Sequence, residues 1–382
     1  MKITTFAAPS AKDLGRDLSA VPYDFASIHG NCAMAIHDLL SLGGKGALHG
    51  ASSCLGAMTQ AGVETGLTAF VIEDPEGAYG TAMCPNGDDI RDAARMATRG
   101  ALQNADRLGE RPEIIWMSAT PGAEEEVLAG IEDIVGPDVP IIGGSAADND
   151  VSGDWFVFDR KAQSGAGVVV SALFPSRPVS FAYQNGHSPT EHSGVVTRVS
   201  GRQIHEIDNR PAWQVYSDWT GGDVQIDAAR SDMQTILSAS TLWPLGREIS
   251  QVGSVPFYLL AHPANAHPGG DIDLFANVAE GEVLTLMNGT VEGLVDRAGR
   301  VAKLARTAGH GPHGAIAGAL MIYCGGCMLT VRDQLPDVVA GVNAALDGAP
   351  FLGAFTFGEQ GALLKTGNRH GNLMISCIVF GA

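Results

Sequence analysis

The sequence has no apolar run of eighteen residues, so no membrane-spanning helix is expected. Positive charge is scarce: 24 Lys and Arg stand against 42 Asp and Glu, a formal net charge of -18. That balance argues against a nucleic-acid partner, because phosphate-backbone binding needs clustered Lys and Arg. Cysteine is scarce as well. The six residues Cys32, Cys54, Cys84, Cys324, Cys327 and Cys377 are too few and too scattered for a disulfide framework and read as reduced thiols. No G-x-S-x-G occurs, which removes the usual hydrolase nucleophile turn, and no second C-x-x-C accompanies Cys324 and Cys327 to complete a zinc site. The opening MKITTFAAPSAKDLGRD has no signal-peptide core. The expectation is a soluble cytoplasmic protein with neither nucleic acid nor membrane as partner.

What the chain does have is glycine, 49 residues of it, with 45% hydrophobic content, enough for real cores. Many glycines fall at strand ends, where backbone approaches backbone or a ligand. The strand VPIIGGSAADND is rewritten two hundred residues later as APFLGAFTFGEQGALL. Upstream of each copy lies the same series. A helical pattern (Ile90, Ala94, Ala97, Ala101, Leu102, Ala105, Leu108; or Val291, Leu294, Val295, Ala298, Val301, Ala302, Ala305) precedes a buried-type strand, EIIWMSAT or GALMIYC. A second amphipathic helix then ends near Gly136 or Gly348, in the usual place for a helix C-terminus. The two units should superpose with Gly143 to Ser145 over Gly353 to Phe355. An earlier fragment, LLSLGGKGALHGASSCLGAMTQAG, reads as a partial third copy. PVSFAYQ, GVVTRVS and RQIHEID alternate in the manner of exposed antiparallel strands. The fold class is therefore α/β, with two related domains (1–209 and 210–382), mixed or antiparallel sheets flanked by helices, and an internally repeated helix-strand-helix-strand unit.

Candidate ligand-binding residues sit at the glycine-broken strand ends: Ser52 and Ser53; Gly143, Gly144 and Ser145; Cys324; Gly358 and Glu359. Asp148, Asn149 and Asp150 suit a turn as well as a ligand-facing loop. Glu359 is the only charged side chain in its apolar stretch and must find donors or solvent; it either reads a ligand or serves as a turn carboxylate. Cys324-x-x-Cys327 is open to zinc with His310 and His313, to redox chemistry, or to simple packing. The helix that would lower a thiol pKa is expected to begin several residues later, which favours packing of unbridged, metal-free thiols. Haem would need an axial ligand, for which His49 and Cys84 are candidates. Ser52, Ser53 and Ser145 have no predicted base partner, so no catalytic residue is assigned.

The order of HGASSCLG, IIGGSAADND, PAWQVYSDW, MIYCGGC and PFLGAFTFGEQG, followed by HGNLMISCIVF, resembles the FIST sensory proteins, with FIST-N and FIST-C domains in tandem over roughly Ser27 to Phe380. The resemblance implies an intracellular small-ligand sensor that is not an enzyme and that relays ligand state to a separate bacterial signalling partner, such as a histidine kinase or a cyclic-nucleotide signalling protein. A haem-based nitric oxide sensor is the alternative it implies, and a small-molecule hydrolase or transferase is a second. The Gly358-Glu359 pair is among the family's recognisable features. Where many relatives read cysteine, small residue, glycine, arginine, this chain has Cys327 in the last place and its next arginine is Arg332. Glu359 is expected to line one pocket with Cys324 and the residues around Ser145.

Overall fold

A computed structural model describes residues 1–40, 46–227, 230–252, 255–308, 314–363 and 366–382. The chain builds the same unit three times. The first comprises β1 (Lys2–Ala8), α1 (Ala11–Ser19), β2 (Phe25–Gly30), α2 (His37–Leu40), β3 (Ala47–Ser52), the hairpin β4 (Ala57–Thr59) and β5 (Gly62–Glu64), and β6 (Leu67–Glu73). The second repeats the order: β7 (Ala78–Pro85), α3 (Ile90–Asn104), β8 (Ile114–Ala119), α4 (Glu124–Val135), β9 (Ile141–Ser145), the hairpin β10 (Val157–Asp159) and β11 (Gln163–Ser164), and β12 (Gly167–Phe174).

The third unit opens with β13 (Val179–Asn185) and is then interrupted by an inserted sheet. The insert contains β14 (Ser188–Ser200), β15 (Gln203–Ile207), β16 (Arg210–Pro211), α5 (Ala212–Trp219), β17 (Gln234–Thr235), α6 (Leu237–Ser240), β18 (Leu245–Val252), β19 (Val255–Ala261), β20 (Pro263–Ala266), β21 (Ile272–Leu274) and β22 (Val283–Asn288). The third unit resumes with α7 (Val291–Thr307), β23 (Ile316–Cys324), α8 (Gly325–Thr330), α9 (Leu335–Ala345), β24 (Phe351–Thr356), the hairpin β25 (Glu359–Leu363) and β26 (Gly367–Gly371), and β27 (Met374–Gly381).

Each unit makes a mixed sheet, and each sheet is finished by another unit's hairpin. The orders are β1-β6-β2-β3-β10-β11, β7-β12-β8-β9-β25-β26 and β13-β27-β23-β24-β4-β5. The exchange is cyclic: the second unit's hairpin completes the first sheet, the third's the second, and the first's the third. In every sheet the two central strands are parallel and their neighbours antiparallel. Helices cover the outer faces, and the inner faces share one core that includes Phe25, Phe70, Trp116, Ile142, Leu320 and Phe380.

Local chemistry sets the helix ends. Ser10, Asp89 and Thr290 cap α1, α3 and α7 by accepting the N–H of Asp13, Asp92 and Gly293. Gly136 and Gly348, at φ 89° and 74°, turn the chain out of α4 and α9. Among the described residues no helix is long and apolar enough to cross a membrane.

Several expectations need correction. The early third copy is complete, because β1 and α1 supply the strand and helix ahead of its parallel pair. Leu108 is 66% exposed, because α3 ends at Asn104 and the turn carries the side chain outward. PVSFAYQ is not an exposed strand: as β13 it pairs with β27 and buries Ala182 and Tyr183. The parallel pairings end at Ala119 opposite Ser145 and Cys324 opposite Thr356. The lent hairpins fix the equivalence of the two units, since Glu359 and Gln360 pair with Gly144 and Gly143 as Ala57 and Met58 pair with Ala354 and Gly353, so Gly143 to Ser145 correspond to Gly353 to Phe355 as expected.

The glycine at Gly143 is required by sheet packing. A Cβ there would meet the Met117 carbonyl oxygen at 2.0 Å, whereas one on Gly165 meets nothing nearer than 3.6 Å. Gly143→Ala is expected to cost about 2–3 kcal/mol in urea denaturation and Gly165→Ala less than about 0.5 kcal/mol. Equal stabilities would remove the close-approach explanation.

Candidate ligand-binding site

A cavity of about 960 Å³ lies outside the carboxyl ends of β8 and β23, where the second and third units face the inserted sheet. Open α/β sheets place ligands at such strand ends. Trp155, Phe275 and Phe357 give it aromatic walls. Val151 and Leu329, both exposed, mark where it reaches solvent.

One wall is an ion pair that pins the insert to the second unit. Arg202, just before β15, places Nη2 2.7 Å from Glu124 Oε2 and 2.7 Å from Glu125 Oε2 at the start of α4. Glu124 also accepts a hydrogen bond from Ser145 Oγ at 2.9 Å. Burial alone would raise the Glu124 pKa, but His370 and the Arg202 guanidinium hold it below the ordinary value. Glu124, Glu125 and His370 bring ligand atoms within 4.8 Å of one another, yet the guanidinium already meets both carboxylates.

The opposite wall carries the cysteines, and here the structure overturns the sequence reading. The helix begins at once: α8 starts at Gly325 with Cys324 as its N-cap residue. Cys324 lines the cavity. Burial would raise its pKa, but hydrogen bonds from the Cys327 thiol and from the N–H groups of Cys327, Gly326 and Leu373 bring it down to about 7. Cys327, lying behind as the thiol that donates to Cys324, is pushed well above its usual range by that bond and by burial. Leu373 reaches Cys324 from a left-handed conformation, φ 56°, that a leucine rarely adopts.

Glu359 is buried behind the same sulfur. Its pKa is raised well above the carboxylate range, first by burial and then by the charge on Cys324, although Met374 N and Thr356 Oγ1 each donate to it at 3.0 Å. Burial and the neighbouring sulfur thus both favour the protonated form of the Glu359 carboxyl. Next to this group, Asn372 lines the cavity. Its Oδ1 accepts the His262 N–H at 3.1 Å, while Nδ2 is buried without a partner.

Of the eight residues expected to bind ligand, Cys324 lines the cavity and the others hold seams between units. Ser52 Oγ accepts the Phe156 N–H at 2.9 Å, and Ser53 Oγ accepts the Phe355 N–H at 2.8 Å. Gly143, Gly144 and Gly358 allow close approach to Met117, Thr356 and His370. Ser145 and Glu359 stand one residue back, touching cavity residues Glu124 and Cys324. Asp148 is a turn carboxylate that accepts the N–H groups of Asp150, Val151, Gly153 and Asp154, while Asn149 and Asp150 border the cavity. Arg332 borders a separate cavity with Gln60 and Asn343. His310 and His313 lie outside the described residues.

The residues proposed to ligate haem do not fit it. His49 is buried, with its ring nitrogens on the Ser171 and Ser118 hydroxyls at 2.9 and 3.0 Å, and neither it nor Cys84 lines the cavity. Arg202, Glu124, His262 and Asn372 escaped the sequence reading. Nothing local marks them, except that Glu124 opens a run of three acids at a helix start.

Comparison with known proteins adds the following. The FIST N domain matches residues 25–210 and the FIST C domain matches residues 212–362. Uncharacterized protein MJ1623 of Methanocaldococcus jannaschii is 33% identical over 133 residues, which are 34% of this chain and 25% of that protein. The chain thus matches about a quarter of that relative's length. Among solved structures, a cyanuric acid hydrolase from A. caulinodans aligns over 100% of this chain and 99% of its own, at 11% identity and a TM-score of 0.41. PurLQS from Thermotoga maritima aligns over 80% of this chain and 72% of its own, at 8% identity and a TM-score of 0.24. Scores this low assign neither a fold nor an activity.

The protonated state of Glu359 has a consequence for stability. Because its pKa is raised on folding, its stabilising contribution is full below the unfolded value of about 4.3 and is lost as pH rises toward the folded value. Relative to Glu359→Gln, the wild type should lose up to about 1.4 kcal/mol per pH unit as pH rises above the unfolded value. Parallel stability curves for the two proteins would mean that Glu359 is ionised.

Proposed function

The chain belongs to the FIST family, whose domains are small-ligand-binding sensory domains of signal transduction, and on that premise we propose that it holds a small organic ligand in the cavity beside Cys324 and passes the ligand's state to a separate signalling protein. The observation that carries this reading is the cavity itself. Its volume of about 960 Å³ is within the range of small-molecule sites, its walls are aromatic, and polar side chains such as Arg202, Glu124 and Asn372 border it.

The position of the cavity supports a sensing role. Glu124, Cys324 and Asn372 come from the repeated units, whereas Arg202, His262 and Phe275 come from the insert. A ligand touching both sides favours one arrangement of insert against units, and its differential affinity sets how far the equilibrium shifts. We read the protein as a binding module rather than an enzyme, with a histidine kinase or a cyclic-nucleotide signalling protein as the kind of partner that would receive the signal.

Ala239, exposed at the cavity wall on α6, gives a direct test. Native mass spectrometry of gently purified wild type should show a non-covalent adduct, and Ala239→Trp should fill the cavity and reduce adduct occupancy at least about tenfold without loss of fold, equivalent to about 1.4 kcal/mol of binding. An adduct retained in full by Ala239→Trp would place the ligand elsewhere, and a wild type without adduct would count against the reading.

A further inference from the structure

The cysteine wall supports a more specific chemistry, which rests on the reading of the cavity as a ligand site. We propose that Cys324 and Cys327 are a thiol–disulfide pair oxidised by a small organic disulfide that enters the cavity, so that the state sensed is a redox one.

Three features of the geometry point this way. Cys324 lines the cavity as the N-cap residue of α8 while Cys327 is buried in the first turn of the same helix, the arrangement of an attacking and a resolving cysteine. Gly326 and Leu373 pack around the attacking sulfur from two segments, a Cβ on Gly326 lying 3.7 Å from Cys324 Sγ and 3.5 Å from Leu373 Cδ2, so its setting does not depend on the short α8 alone. Asn372, next in the chain to Leu373, lines the same cavity and gives it a polar side chain beside the cysteine. The aromatic walls and the volume suit an organic disulfide.

The exchange balances with the groups present. The Cys324 thiolate attacks one sulfur of the disulfide R–S–S–R, forming a mixed disulfide and breaking the original S–S bond. The leaving thiolate takes the Glu359 proton and departs as R–SH. Cys324 is then uncharged, so Glu359, now a carboxylate, accepts the proton of Cys327. The Cys327 thiolate attacks Cys324 Sγ, closing the Cys324–Cys327 disulfide, and the second R–S⁻ takes that proton back from Glu359. Two cysteine sulfurs are oxidised, two R–SH are produced, and the single negative charge passes from Cys324 to Glu359. The titratable groups facing Cys324 are Cys327, Glu359 and Cys54, and His262, which burial keeps neutral, also lines the cavity.

The test uses the full chain, reduced, with 2-hydroxyethyl disulfide as probe, followed by intact mass and peptide mapping. Wild type should lose two hydrogens and gain a bond mapped to Cys324 and Cys327. Cys327→Ser should stop at a probe adduct on Cys324, and Cys324→Ser should form neither product. The wild-type rate should fall about tenfold from pH 8 to pH 6, following the thiolate fraction. Oxidation mapped instead to half-buried Cys32 or Cys84 would overturn the proposal, as would wild-type Cys324 and Cys327 left reduced by excess probe. If those thiols are inert but the non-covalent adduct persists, the redox inference falls and the ligand reading stands. If both are absent, both fall.

Discussion

No sheet in the three-unit body is complete until a neighbour lends it a hairpin. Val157 pairs with Ala51, Glu359 with Gly144 and Ala57 with Ala354, so every unit supplies two strands to the next sheet and receives two from another. Unpaired sheet edges and buried unpaired N–H groups are costly, and the cyclic exchange removes the edge beside each inner parallel pair. It also forces backbones together: a Cβ on Gly50 would meet the Phe158 ring at 2.0 Å, and one on Gly353 would meet Met58 at 2.5 Å. The glycine-rich strand ends thus follow first from the exchange of hairpins.

The seams created by the exchange are polar, and their groups must be satisfied internally. Ser52, Ser53, Ser145 and Thr356 each spend a hydroxyl on a neighbouring segment. In the third unit the seam also contains Glu359, a carboxyl with too few donors to stay ionised beside a cysteine. Raising the Glu359 pKa favours its neutral form, and the sulfur beside it stands at the cavity. The chemical character of the site is in this sense a by-product of how the third unit is closed, with the insert supplying the facing wall through Arg202.

The repeated helices and buried strands were legible because their signals are local. Leu294, Ala298, Val301 and Ala302 recur at helical spacing, and EIIWMSAT carries the apolar run Ile114 to Met117, so each element announces itself within a dozen residues. The exchange was not legible, because which sheet receives a two- or three-residue strand such as β10 or β11 is decided by tertiary pairing alone. The start of α8 was hidden for a related reason: Gly325-Gly326 is a poor helix opening by propensity, and packing of Cys327 and Met328 overrides it. Arg202 and Glu124 are 78 positions apart and look like ordinary surface charges until folding buries them together. Cys324 was found because it ends a strand, and Asn372 was missed because an unpaired amide is visible only when all its neighbours are placed.

The central claim is that the cavity between the repeated units and the insert is where this protein meets its ligand. Crystallography of protein purified gently and never exposed to denaturant tests that most directly. The account predicts continuous non-protein density among Trp155, Phe275 and Phe357, next to Cys324. A cavity collapsed onto its own side chains, or ligand density at another place on the molecule, would contradict it.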